Sequence, residues 1–205
     1  MRGPLAAHYR FISAIAIKGV ERLLGTTATL KPMRAALTID FMRTMQWVRD
    51  AHAMEEQAVT MLTGQEGRLE NYPELRAAVS RHIKETQDQA RRLRMYLESR
   101  NDSSSTLKDL GGKTIALGQS LSGLFAGDEV MKGLLASYTF EHMEIASYRI
   151  LKEAARFIND SELERVCEQN LQEELATAKW LDEHIPALTM QFLARAETDS
   201  DAAKR

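Results

Sequence analysis

The chain has 205 residues, 44% of them hydrophobic and 27% charged, enough for one ordinary domain with a sizeable core. A formal net charge of -2 and a pI near 6.2 give no basic footprint, which argues against nucleic acid as a partner. No apolar run reaches the roughly 18 residues of a membrane span, and the lone Cys167 cannot close an internal disulfide, as expected of a reducing, cytoplasmic setting.

With only four prolines and few alternating β-branched runs, the chain reads as all-α. Residues 1–31 carry Leu5, Ile12, Ile15, Ala16, Val20 and Leu23 at helical spacing among Arg and Lys, with Glu21 as their only acid. That pattern fits a transit peptide or a surface amphipathic helix. Because Arg10 and Lys18 bracket the apolar run, a secretory signal fits less well, and the preferred reading is an extra amino-terminal helix packed on the domain or on a partner subunit.

Pro32 suits a first helical turn, and the helix it opens is predicted to run to about Gly64. Its seam reads Phe41, Met45, Val48, His52, Glu55, Val59 and Leu62, in alternating steps of four and three. Pro73 opens a second helix ending near Arg100, with the stripe Leu75, Ala78, His82, Glu85, Gln89, Leu93 and Tyr96. Residues 101–127 are too long for a hairpin and read as a crossover with a helical stretch from Thr114 to Phe125.

A third helix is predicted from Asp128 to Ile158, with the seam Val130, Leu134, Ser137, Glu141, Glu144, Tyr148, Leu151, Ala155 and Ile158. Asn159, Asp160 and Ser161 close it and cap the last helix. That helix is predicted to run to His184, where Pro186 ends or kinks it. Its stripe of Cys167, Leu171, Glu174, Ala178, Leu181 and Ile185 favours Glu174 over its neighbour Glu173 as the inward acid.

Four helices joined short, long, short make a bundle with one crossover. The division expected is residues 1–31 as an extension, 32–196 as the bundle and 197–205 as a disordered tail. Each helix carries acid at mid-length: Glu55, then His82 with Glu85, then Glu141 with Glu144, then Glu174. Antiparallel packing brings those positions to one level. Crowded carboxylates cannot all ionise unaided, and the seams supply no Lys or Arg. Two divalent ions bridged by carboxylates would resolve the conflict, and oxygen-rich ligation without thiolate suits iron or manganese.

Glu141-His142-x-Glu144-Ile145-Ala146-x-Tyr148, with His82-x-x-Glu85-Thr86, Glu55-x-Gln57 and Leu171-x-Glu173-Glu174-x-x-Thr177, resembles the YciE/YciF-like family of bacterial ferritin-like proteins. The resemblance covers roughly residues 40–185. It implies a ferritin-like antiparallel four-helix bundle, a homodimer, a binuclear metal site and a role in stress. It also assigns metal-ligand roles to Glu55, His82, Glu85, Glu141, Glu144 and Glu174. The chain departs from the wider ferritin-like pattern of Glu-x-x-His: helix two reads His-x-x-Glu, and Thr177 stands three residues after Glu174.

His52 is expected as a core histidine bonded to a carboxylate, His142 against a neighbouring helix, and His8 and His184 at the surface. Tyr148 is placed to fill core or to hydrogen-bond a ligand carboxylate. The functional expectation is a di-metal oxidoreductase, a ferroxidase or peroxide reductase using O2 or peroxide. The alternative is a non-catalytic stress protein whose ions hold a homo-oligomer together.

Overall fold

The computed structural model describes residues 30–100 and 130–198, with side chains from residue 38 onward in the first helix. The expected amino-terminal helix with His8, the crossover helix and residues 199–205 of the tail lie outside the described residues. Four helices make up what is described: α1 (Leu30–Glu66), α2 (Pro73–Ser99), α3 (Val130–Phe157) and α4 (Ser161–Thr198). None is long and apolar enough to cross a membrane.

Contacts between helices fix their directions. Gln65 and Glu55 of α1 meet Ser137 and Tyr148 of α3, so those two helices are antiparallel. His82, Arg92 and Arg100 of α2 meet Thr177, Asn170 and Asp160 of α4, again antiparallel. Since α1 and α2 form a hairpin, α2 and α3 run parallel. The 27 residues of α2 span about 40 Å, so the start of α3 lies about that far from the end of α2. This is the ferritin-like topology.

The joints follow from their sequence. Pro73 sits in the first turn of α2, where its missing N–H costs nothing. At the end of α3, Asn159 adopts a left-handed backbone (φ 57°), a conformation asparagine tolerates. The Asp160 and Asn159 amides then turn back to the carbonyls of Ala155 and Arg156, at 2.8 and 3.1 Å. Asp160 next caps α4, its carboxylate accepting from the Leu163 amide at 3.0 Å and from the Tyr96 hydroxyl at 2.8 Å.

α4 continues past His184 to Thr198, with Pro186 inside it, which overturns the expected stop. Pro186 and Asp182, whose carbonyl loses its donor, both sit on the exposed face, open to solvent. On the opposite face Leu188 is buried, and Ile185 and Phe192 pack beside it, anchoring the extra turns.

Besides a small cluster of Met54, Ala58 and Phe140, the core divides into two large apolar layers. One gathers Val48, Leu93, Leu97, Tyr148, Leu151, Leu163 and Leu171. The other gathers Leu62, Leu69, Tyr72, Leu75, Leu134 and Leu181. Between them lies a buried polar belt: Glu55, His82, Thr86, Gln89, Glu141, Glu144, Asn170 and Glu174. The seams read from the sequence are largely the buried faces: Val59, Ile158 and Ile185 are half-buried, with Ala58 buried in place of Val59, and in α2 the stripe passes through Thr86, while Glu85 is half-exposed.

Candidate metal centre

Each helix delivers its mid-length polar residues to the belt because the same 3.6-residue period that buries Leu and Val buries them too. His82, Glu141, Glu144 and Glu174 form a compact quartet, each offering a donor atom within 4.8 Å of the others. Donors about 2.0–2.2 Å from one ion lie at most roughly 4.4 Å apart, so the quartet needs to close by only a few tenths of an ångström.

Partners for these groups are missing among the described side chains. Glu141 Oε2, both oxygens of Glu144, both oxygens of Glu174 and Glu55 Oε2 are buried without a hydrogen bond. His82 Nε2 lies 3.1 Å from Glu141 Oε1 and 3.6 Å from Glu174 Oε2, yet it is not aligned to bond either. A buried polar atom left unmade costs about 1–3 kcal/mol, and more if charged. A donor set of carboxylate oxygens and one imidazole, all facing one point, fits a divalent cation of the iron or manganese kind.

Protonation without a cation follows the same logic. Burial pushes Glu55 up to about 8, against the hydrogen bond from Tyr148 that favours its charged form. Burial, reinforced by neighbouring acids, holds Glu144 and Glu174 well above the carboxylate range. For His82, burial works downward but the adjoining Glu141 charge carries it well above its ordinary value. The metal-free belt therefore stores protons that a divalent ion would displace.

The histidine ring is oriented from outside. Its Nδ1 lies 3.0 Å from Thr177 Oγ1 and 3.3 Å from Glu85 Oε2, and the Thr86 hydroxyl ties the backbone of the same turn, donating to the His82 carbonyl at 2.9 Å. Glu85 and Thr177 favour Nδ1 as the donor, so a cation that displaces the second proton would meet Nε2 as a lone pair aimed into the quartet. Thr177, which replaces the histidine of the wider pattern, thus acts on His82.

Of the six residues read as ligands, the structure brings His82, Glu141, Glu144 and Glu174 together. Glu55, fully buried, stands beside them in the belt but outside the compact group. Glu85 is set apart: its side chain is 35% exposed and reaches only the far edge of His82. Glu173, the fallback for Glu174, turns outward to Arg92 and Gln89.

His52 is buried, as expected, but the expected bond to a carboxylate is not made: its Nδ1 stands 3.9 Å from Glu56. The expectation for His142 fails: it is exposed and bonds its own helix, at the Tyr138 carbonyl 2.9 Å away, because its step around α3 faces outward. His184 is half-buried, not fully at the surface, stacked on Trp180 3.9 Å away. Cys167 is buried and burial pushes its thiol up to about 12, so it stays a thiol.

A small cavity of about 20 Å³ opens beside the quartet, lined by His82, Glu141, Ser137, Thr177, Leu62 and Leu181. It holds about one molecule of water's size. Sequence reasoning missed Arg92 and Asn170. Arg92 enters the belt from the side, its Nε donating to Asn170 Oδ1 at 2.7 Å. Its place three residues after Gln89 was the available signal.

Residues 43–194 match a family described as a domain of unknown function, DUF892. The chain belongs to this family. A protein from Xanthomonas campestris pv. campestris is 35% identical, with 77% of this chain and 99% of that chain covered, at a TM-score of 0.62. The Escherichia coli stress protein YciF is 22% identical, covering 70% of this chain and 92% of its own, at 0.58. YcfI from Rhodopseudomonas palustris is also 22% identical, with 68% and 90% covered, at 0.53. The YciF-like resemblance of the motifs thus extends to the bundle.

Proposed function

We propose that this protein is a di-metal oxidoreductase that binds two iron or manganese ions between Glu55, His82, Glu141, Glu144 and Glu174 and turns over O2 or peroxide. The observation that carries this reading is the set of buried, unpartnered carboxylate oxygens from α1, α3 and α4 in one belt with the unpartnered His82 nitrogen of α2. Such a set is costly unless a cation satisfies it. Two reduced ions, when bound, supply the two electrons that with two protons reduce peroxide to water.

The chain's own part is to orient and to exclude. His82 presents Nε2 because Thr177 and Glu85 hold Nδ1, and Glu85 serves in this way instead of ligating. The apolar layers above and below keep bulk water out, so charges in the belt interact strongly. The cavity at His82 and Glu141 supports a substrate no larger than a few heavy atoms. The description of YciF as a stress protein supports a protective role. Trp47, Ile150 and Phe157, exposed by 39%, 56% and 67%, give α1 and α3 an apolar outer strip that supports the homodimer.

The test is metal analysis of protein purified without added metal, followed by anaerobic Fe(II) loading and exposure to peroxide or O2. Two ions per chain and oxidant consumption that Glu141→Ala abolishes are expected. Full metal content and consumption in Glu141→Ala would overturn the reading.

A further inference from the structure

Glu55 differs from the quartet in having one oxygen already taken. The Tyr148 hydroxyl donates to Glu55 Oε1 and accepts from Asn170 Nδ2 at 2.8 Å. Asn170 Oδ1 accepts from Arg92 Nε at 2.7 Å, and Arg92 is clamped by Glu173, which also accepts from Gln89 at 3.1 Å. This chain of bonds crosses all four helices, from a half-buried ion pair to the one belt acid on α1.

Its polarity is fixed at every link. A tyrosine has one O–H to give, and it goes to Glu55. An asparagine turned over would set its amide N–H against the Arg92 N–H, donor to donor, so Nδ2 must face Tyr148. Glu55 therefore keeps only Oε2 for a cation, and its carboxylate cannot swing without breaking a bond. Glu144, by contrast, has both oxygens free.

We propose that Arg92, Asn170 and Tyr148 are positioning residues that fix Glu55 as a one-oxygen ligand to the second of two ions, bound more weakly than the ion in the quartet. This rests on the two-ion reading above. The quartet closes around one point without Glu55, so a second ion depends on Glu55 and on the relay that aims it. The half-buried Arg92 makes the relay adjustable from the protein surface.

Titration of Mn(II) into the metal-free full-length protein, followed calorimetrically, tests it, with thermal melts of each metal-free variant as the check on folding. The wild type is expected to bind in two phases. Tyr148→Phe weakens the second phase about 10- to 100-fold and leaves the first unchanged. Arg92→Met, at the rim, keeps the fold and separates relay from field. Losing a cation near the acids would by field alone tighten both phases, whereas losing the relay weakens the second. A second phase that tightens or stays put in Arg92→Met overturns the relay while the two-ion reading stands. A wild type that binds a single ion overturns both.

Discussion

Two halves of one buried belt treat their polar groups in opposite ways. On the side of Asn170, nearly every polar atom has a protein partner: Tyr148, Arg92, Glu173 and Gln89 close on one another across three helices. On the side of Glu141, its Oε2 and both oxygens of Glu144 and Glu174 have none. A fold able to satisfy the first half had the means to satisfy the second, by one arginine in the seam. That it leaves acids there unmatched separates groups held for structure from groups held for a ligand.

The largest expected effect breaks the second half. Glu174→Gln removes a quartet charge and should weaken the first Mn(II) by at least about 100-fold, while removing a bound divalent ion lowers the melting temperature of the wild type. At 100-fold excess over the dissociation constant, one ion adds about 2.7 kcal/mol, worth roughly 5–10 °C in a domain this size. A chelator should erase that shift in the wild type and change nothing in Glu174→Gln. Equal melting of loaded and chelated wild type would mean the quartet is satisfied in some other way.

pH is the next lever. Glu55 holds its proton up to about 8 in the folded metal-free chain, against 4.5 for an ordinary carboxyl, and His82 is raised as well. Both bind protons more tightly folded than unfolded. Their stabilisation is complete below the ordinary values and is lost as pH rises through the folded ones. The metal-free protein should lose several kcal/mol between about pH 4.5 and 8. Mn(II)-loaded protein should move the other way, because ions compete with the same protons. Melting curves at pH 5 and 8, with and without Mn(II), should therefore diverge with rising pH; parallel curves would contradict the comparison.

Single substitutions in the metal-free protein then sharpen it by sign. Glu144→Leu removes an acid with both oxygens orphaned and should stabilise, by about 1–4 kcal/mol. Asn170→Leu removes the bonds to the Tyr148 oxygen and to Arg92 Nε and should destabilise, by about 1–3 kcal/mol. Denaturant unfolding of the two variants at pH 7 measures both. Two losses of similar size would make the belt one structural network instead of two regions.

Much of this was readable in the residues, and the failures are informative. Seams of Leu, Val and Tyr at steps of three and four placed Glu55, His82, Glu141, Glu144 and Glu174 inside, and chose Glu174 over Glu173, because a helix buries a stripe regardless of what stands on it. At Glu85 the reading stepped three from His82 where the buried stripe steps four, to Thr86. Pro186 looked like a stop because a sequence does not say which side of a helix faces water. Asn170 and Arg92 stand outside the seams read from the sequence; the place of Arg92 one turn after Gln89 hinted at its face, but its pairing with Asn170 depends on a partner helix 78 residues away in the chain.

His82 joins the two regions, satisfied at Nδ1 and unpaired at Nε2, and it supports the smallest prediction. Thr177→Val removes one of two groups at Nδ1, and Glu85 remains at 3.3 Å to hold the ring. Metal-free stability should therefore change by less than about 1 kcal/mol, and Mn(II) affinity should fall about tenfold, the lower end for a group that orients a ligand. Adding Glu85→Ala frees Nδ1 of both partners, so that either tautomer can form and half of the ring orientations no longer present a lone pair to the quartet. The double variant should lose more affinity than the two single losses combined, as coupled neighbours do. Simple additivity, measured by Mn(II) titration of all four proteins, would show that Thr177 and Glu85 act on His82 separately and that the ring is held by packing.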